Sequence, residues 1–174
     1  FLEHADFAAL AAAKASGTLD EAICAERDRQ VAVQLTPPEI AEKLDVRRIR
    51  RFAESDAFAR ICAADAVLRE LAFITALPAS AVLAAQGSAA PEGEAAKASV
   101  LVQGIADIVL VFPDHLELLD YKTDRRKTEA DFLAAYRAQL NLYALAIDKR
   151  FAPKKVTYKG IYSLELGKLI EVKG

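Results

Sequence analysis

Through residues 1–66 apolar side chains recur at the three-and-four spacing of amphipathic helices. "FLEHADFAALAAAKASG" keeps that spacing from its first residue and stops near Gly17, which predicts a helix already under way at Phe1. Asp20 stands where it would cap "EAICAERDRQVAVQL". In "TPPE", Thr36 fits an N-cap, Pro37 the first helical position and Glu39 the third, a capping box. "DVRRIRRFAES" and "DAFARICAA" continue the pattern as short helices.

Near Val67 the period changes. "VLRELAFITAL" predicts a strand and "SAVLAA" a second, short one. "QGSAAPEGEAAKA" (86–98) has little to bury and is expected as a mobile hairpin connection. "SVLVQGIADIVLVF" (99–112), rich in β-branched residues, is the strongest strand; "PD" at 113–114 turns the chain and "HLELLDYKT" returns antiparallel. A long helix follows, "EADFLAAYRAQLNLYALAIDKRF", with Thr128 as its cap. "KVTYKGIYSLEL" and "KLIEV" then predict two strands joined by a turn near Gly167. The order predicts an α/β (α+β) fold, a sheet flanked by helices, with a helical part over 1–66 and the sheet over 67–174 of one domain.

Composition narrows the setting. The 174 residues suit one domain, and 53% hydrophobic content supports a packed core rather than disorder. No apolar run reaches bilayer length and no signal peptide is visible, so a cytoplasmic, membrane-free protein is expected. Cys24 and Cys62 are too few for a disulfide framework or a four-thiolate cluster and read as small buried apolar residues. The net charge of −2 gives no global sign of nucleic acid, although "VRRIRRF" (46–52) and "DRRK" (124–127) are basic clusters. The chain holds no Met and opens without a cap, which suggests a piece of a longer chain.

Alternation along a strand sets Leu116, Leu118, Asp120 and Lys122 on one face, and Ile105, Asp107, Val109 and Val111 on one face of the preceding strand. A hairpin folding about residues 113 and 114 sets position 107 opposite position 120. Two carboxylates and one ammonium then converge. Close carboxylates repel, and a divalent cation such as Mg²⁺ removes the conflict while activating water. A structural salt bridge between Lys122 and the two aspartates is the plainer alternative.

The pattern Asp107-x12-Asp120-x-Lys122 resembles the PD-(D/E)XK nuclease signature. More narrowly, "G-x-x-D" (Gly104 to Asp107), "D-Y-K-T" (Asp120 to Thr123), "Q-x-x-x-Y" (Gln139 to Tyr143) and the upstream "LRELAFITALPAS" resemble the RecB-like nuclease domains, those of the AddA type above all. The resemblance implies a restriction-endonuclease-like mixed sheet and a Mg²⁺- or Mn²⁺-dependent DNA exonuclease domain of an ATP-dependent helicase–nuclease, acting in double-strand break repair and recombination. Asp107, Asp120 and the main-chain carbonyl of Tyr121 would be metal ligands, and Asp107, Asp120 and Lys122 the catalytic set. Gln139 and Tyr143, on one helical face with Tyr136, would support DNA or the lysine; Glu70 is a supporting candidate. The implied partners are single-stranded DNA, a helicase part of the same parent chain and an AddB-like second subunit. No G-x-x-x-x-G-K-S/T pattern occurs, so the ATP-binding motor would lie elsewhere in that chain.

One family element is missing. The early-helix histidine ligand of "G-x-x-x-H" is expected just before Phe1, so that this piece alone would cleave weakly or not at all; His4 reads as a surface or packing residue and His115 as an exposed strand start. Two alternatives remain: a catalytically silent DNA-binding or scaffold module of the same fold, or another superfamily nuclease. Cas4-like and AddB-like domains carry four cysteines, against two here.

Overall fold

The computed structural model describes residues 1–89 and 93–173. Five helices come first: α1 (Phe7–Ser16), α2 (Leu19–Ala32), α3 (Pro38–Ala41), α4 (Val46–Ala53) and α5 (Asp56–Ala63). Then follow β1 (Ala66–Pro78), α6 (Ala79–Ala85), α7 (Glu94–Lys97), β2 (Ser99–Val111), β3 (Leu116–Lys122), α8 (Glu129–Arg150), β4 (Val156–Ser163) and β5 (Lys168–Glu171). The strands form one mixed sheet in the order β1-β2-β3-β4-β5. The β3–β4 pair is parallel, as its crossover through α8 requires, and the other pairs are antiparallel.

Each face of the sheet buries one core. Ile108, Leu110, Leu119 and Tyr162 pack against α1, α2, α4 and α5. Val109, Leu116, Leu118 and Ile161 pack against α8 and Val82 of α6. β3, in the middle, is buried along Leu116–Asp120, as expected of a strand covered on both sides. Phe52 is the hub of the first core. It is 0% exposed, and its ring lies 5.1 Å from Tyr162, 5.4 Å from Tyr121, 5.5 Å from Phe58 and 6.1 Å from Phe7. Glu117, on the same face of β3, is buried and neutralised by Arg60 at 2.7 Å, while Arg60 stacks over Tyr158 at 3.7 Å.

Several local readings are corrected. Phe1 is not mid-helix: the first residues form a turn, and α1 starts at Phe7, where Asp6 accepts the Ala9 N–H at 2.9 Å. Leu19 already opens α2, so Asp20 lies inside the first turn and pairs with Arg50 instead of capping. The Thr36 box does not form; Pro37 is the N-cap of α3, and the Thr36 hydroxyl donates to Gln30 Oε1 at 3.0 Å. "SAVLAA" is helix α6, because a short alanine-rich run after Pro78 has only Val82 to bury and alanine favours helix. The 86–98 connection contains α7, and its residues 90–92 lie outside the described residues. Cys24 is half-buried and Cys62 exposed rather than buried. His115 is half-buried, with its ring stacked on Phe112 at 4.6 Å. The Thr128 cap forms, with Asp131 completing a capping box. Among the described residues no helix is long and apolar enough to cross a membrane.

Truncating the hub should collapse the first core. Phe52→Ala is expected to lower unfolding stability by about 3–5 kcal/mol in urea denaturation; a loss under about 1 kcal/mol would mean that the aromatic cluster does not hold the helices to the sheet.

Candidate active site

β2 and β3 pair only over residues 108–111 and 116–119, Ile108 opposite Leu119. Beyond that point the strands part. Asp107 is the first residue of β2 outside the ladder, and its Oδ2 accepts the main-chain N–H of Tyr121 at 2.8 Å. A carboxylate thus takes the place of a backbone acceptor, and the register that brings 107 beside 120 is the expected one. Asp120 and Lys122 share the α8 face of β3 with Leu118.

Opposite Asp107 on the other side stands Glu70. The β1–β2 ladder runs through Arg69↔Ile108 and resumes at Leu71↔Ala106, so Glu70 is the residue across from Asp107. Its φ is +46°, the left-handed region, in the middle of a strand. Leu68 lines the α8-side core before this point, and Leu71, Phe73 and Leu77 line it after, so the alternation slips by one. β2 slips as well: Val109 and then Ala106 and Val102 face α8. Ile105 therefore does not share a face with Val109, which corrects the simple alternation, and it is 53% exposed. Glu70 hydrogen-bonds to no described residue. Burial, then Asp107 and Glu3, push its carboxyl above the usual range, and His4 pulls it back. Thus Glu70, Asp107 and Asp120 form an acidic row across three strands. Arg69, on the opposite side of β1, bonds the carbonyl of Ala5 at 2.7 Å and stacks over Phe7 at 4.0 Å.

The electrostatics single out Asp120. It is 4% exposed. Lys122 Nζ pairs with its Oδ2 at 2.6 Å, and no other described group bonds that oxygen. Burial drives the Asp120 pKa up to about 6, with Asp107 adding and Lys122 opposing. For Lys122 burial disfavours the charge, but Asp120 and then Asp107 outweigh it and hold the ammonium pKa above its ordinary value. The ammonium also lies 4.6 Å over the ring of Tyr136. The Tyr136 hydroxyl donates to Asp124 Oδ2 at 2.9 Å, and Asp124 pairs with Lys127 at 2.6 Å.

α8 serves the site through two aromatics. Tyr136 meets Lys122. Tyr143 crosses Phe73 edge-on at 4.9 Å and lies on Gly104, where a Cβ would stand 2.7 Å from its hydroxyl oxygen. Gly104 is therefore small because Tyr143 and Phe73 occupy its side-chain space, which ties two of the motifs together three residues before Asp107. Gln139, half-buried on the same helical face, bonds to no described residue. Asp124 and Lys127 stand in the sequence only as the ends of the basic cluster at 124–127, and their bracing of Tyr136 shows only in the structure; the acid–x–x–base spacing just before the Thr128 cap was the available signal. No set of three or more acidic, histidine or cysteine side chains among the described residues converges tightly enough to hold a metal without further donors. A groove of about 870 Å³ along Phe73, Ile74, Gly104 and Ile105 contains none of the charged groups of the acidic row.

A sequence profile of the PD-(D/E)XK nuclease superfamily matches residues 3–171. The chain belongs to this superfamily. The mixed five-stranded sheet with flanking helices agrees with that membership. The chain is also similar to large bacterial proteins, each named as the A component of an ATP-dependent helicase/nuclease. That of Ligilactobacillus salivarius is 34% identical over 158 residues, 87% of this chain and 12% of the relative. The Heliobacterium modesticaldum protein is 33% identical over 178 residues, 97% of this chain and 12% of the relative. The Carboxydothermus hydrogenoformans protein is 31% identical over 150 residues, 85% of this chain and 12% of the relative. This PD-(D/E)XK domain is thus homologous to the nuclease part of such proteins and spans about 12% of their length. Nucleases of the superfamily generally use divalent metal ions.

Two substitutions test this packing and its charge. Gly104→Ala should cost about 1–3 kcal/mol by overpacking, and the same substitution in a Tyr143→Ala background should cost less in urea denaturation, a coupling that a double-mutant cycle reads. Asp120 carries a raised native pKa, so the native state binds more protons than the unfolded chain between the ordinary 3.8 and about 6, and stability falls as pH rises through that window. In EDTA, Asp120→Asn should therefore raise the melting temperature at pH 8, by on the order of 1 kcal/mol of stability, with the gain vanishing at pH 4. An equal gain at both pH values would disprove the buried-charge account.

Proposed function

We propose that this chain is the metal-dependent deoxyribonuclease part of an ATP-dependent helicase–nuclease, digesting DNA ends in double-strand break repair and recombination. One observation carries the reading: two aspartates from neighbouring strands meet where the sheet opens, with a lysine ammonium 2.6 Å from one of them, in a chain of a nuclease superfamily.

The donor set suits a hard divalent cation, Mg²⁺ or Mn²⁺. Its atoms are all oxygen, and Asp120 is buried near Asp107 with Lys122 as its one close counter-charge among the described residues. Asp107, Asp120 and the main-chain carbonyl of Tyr121 would hold the ion; the Tyr121 N–H points to Asp107, and N–H and carbonyl of one strand residue leave on the same edge. Once bound, the ion supplies Lewis-acid stabilisation of the phosphodiester and a more acidic water. Lys122 brings a fixed positive charge for the oxygens that gain charge during in-line attack. Asp120 and the Tyr136 ring confine that ammonium, so little reorganisation is needed. Tyr143 packs on Gly104, three residues before Asp107, while Glu70, within the row, and Gln139, beside it, serve as supporting groups. The substrate is DNA, in single-stranded form, delivered by a helicase part of the same parent chain working with an AddB-like second subunit in the cytoplasm.

The test is digestion of end-labelled single-stranded DNA by the parent helicase–nuclease in Mg²⁺ or Mn²⁺. Asp107→Ala, Asp120→Ala and Lys122→Ala should each slow cleavage at least about 100-fold while leaving ATP hydrolysis intact, and EDTA should abolish cleavage. Wild-type rates in the Asp120→Ala and Lys122→Ala proteins would sink the reading.

A further inference from the structure

Two lysine ammoniums meet one aromatic ring at the end of β3. Lys122 Nζ stands 4.6 Å from the centre of the Tyr136 ring, and Lys127 Nζ stands 4.9 Å from it. The two charges are no farther apart than those distances together, so they repel. Each is also drawn to the same π-system, so they compete for it. Asp124 stands between these tendencies. Its carboxylate pairs with Lys127 at 2.6 Å and accepts the Tyr136 O–H at 2.9 Å. Lys127 is thereby kept at the hydroxyl end of the ring, 3.5 Å from the phenol oxygen. Lys127 first, and then Tyr136, hold the Asp124 carboxyl below the usual range, so it is ionised at neutral pH. The turn that presents this acid is strained. Arg126, between the paired residues, has a φ of +59°, a left-handed backbone that costs an arginine energy.

We propose that Asp124 is a positioning residue that reserves the Tyr136 ring for Lys122. It neutralises Lys127 and holds it at the phenol oxygen, so the attraction of the ring falls to the lysine of the site. The inference rests on the nuclease reading for the role of Lys122 and adds a residue that acts on it through Tyr136. In that reading Asp120, the ion-pair partner of Lys122 at 2.6 Å, is shared with the cation. The ring is then the anchor that Lys122 does not share, provided that Lys127 is held off it.

The test is a rescue. In the parent helicase–nuclease, Asp124→Asn leaves Lys127 as an unpaired ammonium at the ring and should slow cleavage at saturating DNA about tenfold, with the KM for DNA within about twofold of wild type. Adding Lys127→Gln removes the competitor and should bring the rate back to within about threefold of wild type. An ion pair that only braced the turn gives no rescue, because Lys127→Gln removes the same brace. A second readout needs neither metal nor DNA. In EDTA the Lys122 ε-methylene protons of this chain, assigned by their loss in Lys122→Arg, should resonate upfield of exposed lysines through the ring current of Tyr136. They should move towards those lysines in Asp124→Asn and return upfield in the double variant. Tyr136→Leu, which removes the ring and keeps the Asp124–Lys127 pair, should abolish the upfield shift. Circular dichroism checks that each variant is folded. The inference is overturned if Asp124→Asn cleaves at the wild-type rate, if the double variant is as slow as Asp124→Asn, or if the Lys122 resonance is unmoved by Asp124→Asn or by Tyr136→Leu. The two readings fail separately: wild-type cleavage by Lys122→Ala removes the nuclease reading, whereas the resonance judges the placement of Lys122 alone.

Discussion

The hydrogen bond from the Tyr121 main chain to Asp107 is the contact on which the site depends. A central strand must satisfy its N–H groups, and here β2 stops offering carbonyls at Ile108. The carboxylate of Asp107 fills that vacancy. One acid is thereby held in the plane of the sheet at the point where the strands part, and the next β3 residue on the α8 face is Asp120. The opening of the sheet and the gathering of its charges are the same event. Tyr121 is in turn fixed by its ring on Phe52, so the aromatic core under the helices sets the position of a main-chain atom at the site.

That arrangement costs stability. Asp120 is buried beside another carboxylate, and one lysine offsets the burden only in part, since the pKa still rises to about 6. Contrast Glu117 three residues earlier, equally buried but matched by Arg60 on the opposite face, where the pair closes a structural contact. A buried acid whose charge is only partly offset is a poor structural element. The left-handed backbone of Glu70 is a second local strain, and it sits across from Asp107 in the same row.

Much of this was legible along the chain because it is local. The two-residue turn at Pro113 and Asp114 fixes the hairpin register, so Asp107 had to meet Asp120, and strand alternation had to put Lys122 on the same face. The Thr128 cap and the long α8 followed from neighbouring residues alone. Readings failed where local signals were ambiguous or weak. "SAVLAA" carries too few apolar residues to show a period, and a capable cap such as Thr36 is used elsewhere when Gln30 offers a closer partner.

The sequence by itself determined the acid–acid–lysine set, its strand carriers and the family it belongs to, because those depend on residue order and short-range periodicity. Tertiary structure decided the rest. The slip of alternation at Glu70 comes from a positive φ that a glutamate does not announce. The need for Gly104 appears only once Tyr143, on another element, is laid over it. Lys43 and Arg125, far apart in the chain, line one groove. Each is a contact between remote residues, set by how helices and sheet pack on one another, and packing is a property of the whole chain rather than of any stretch of it.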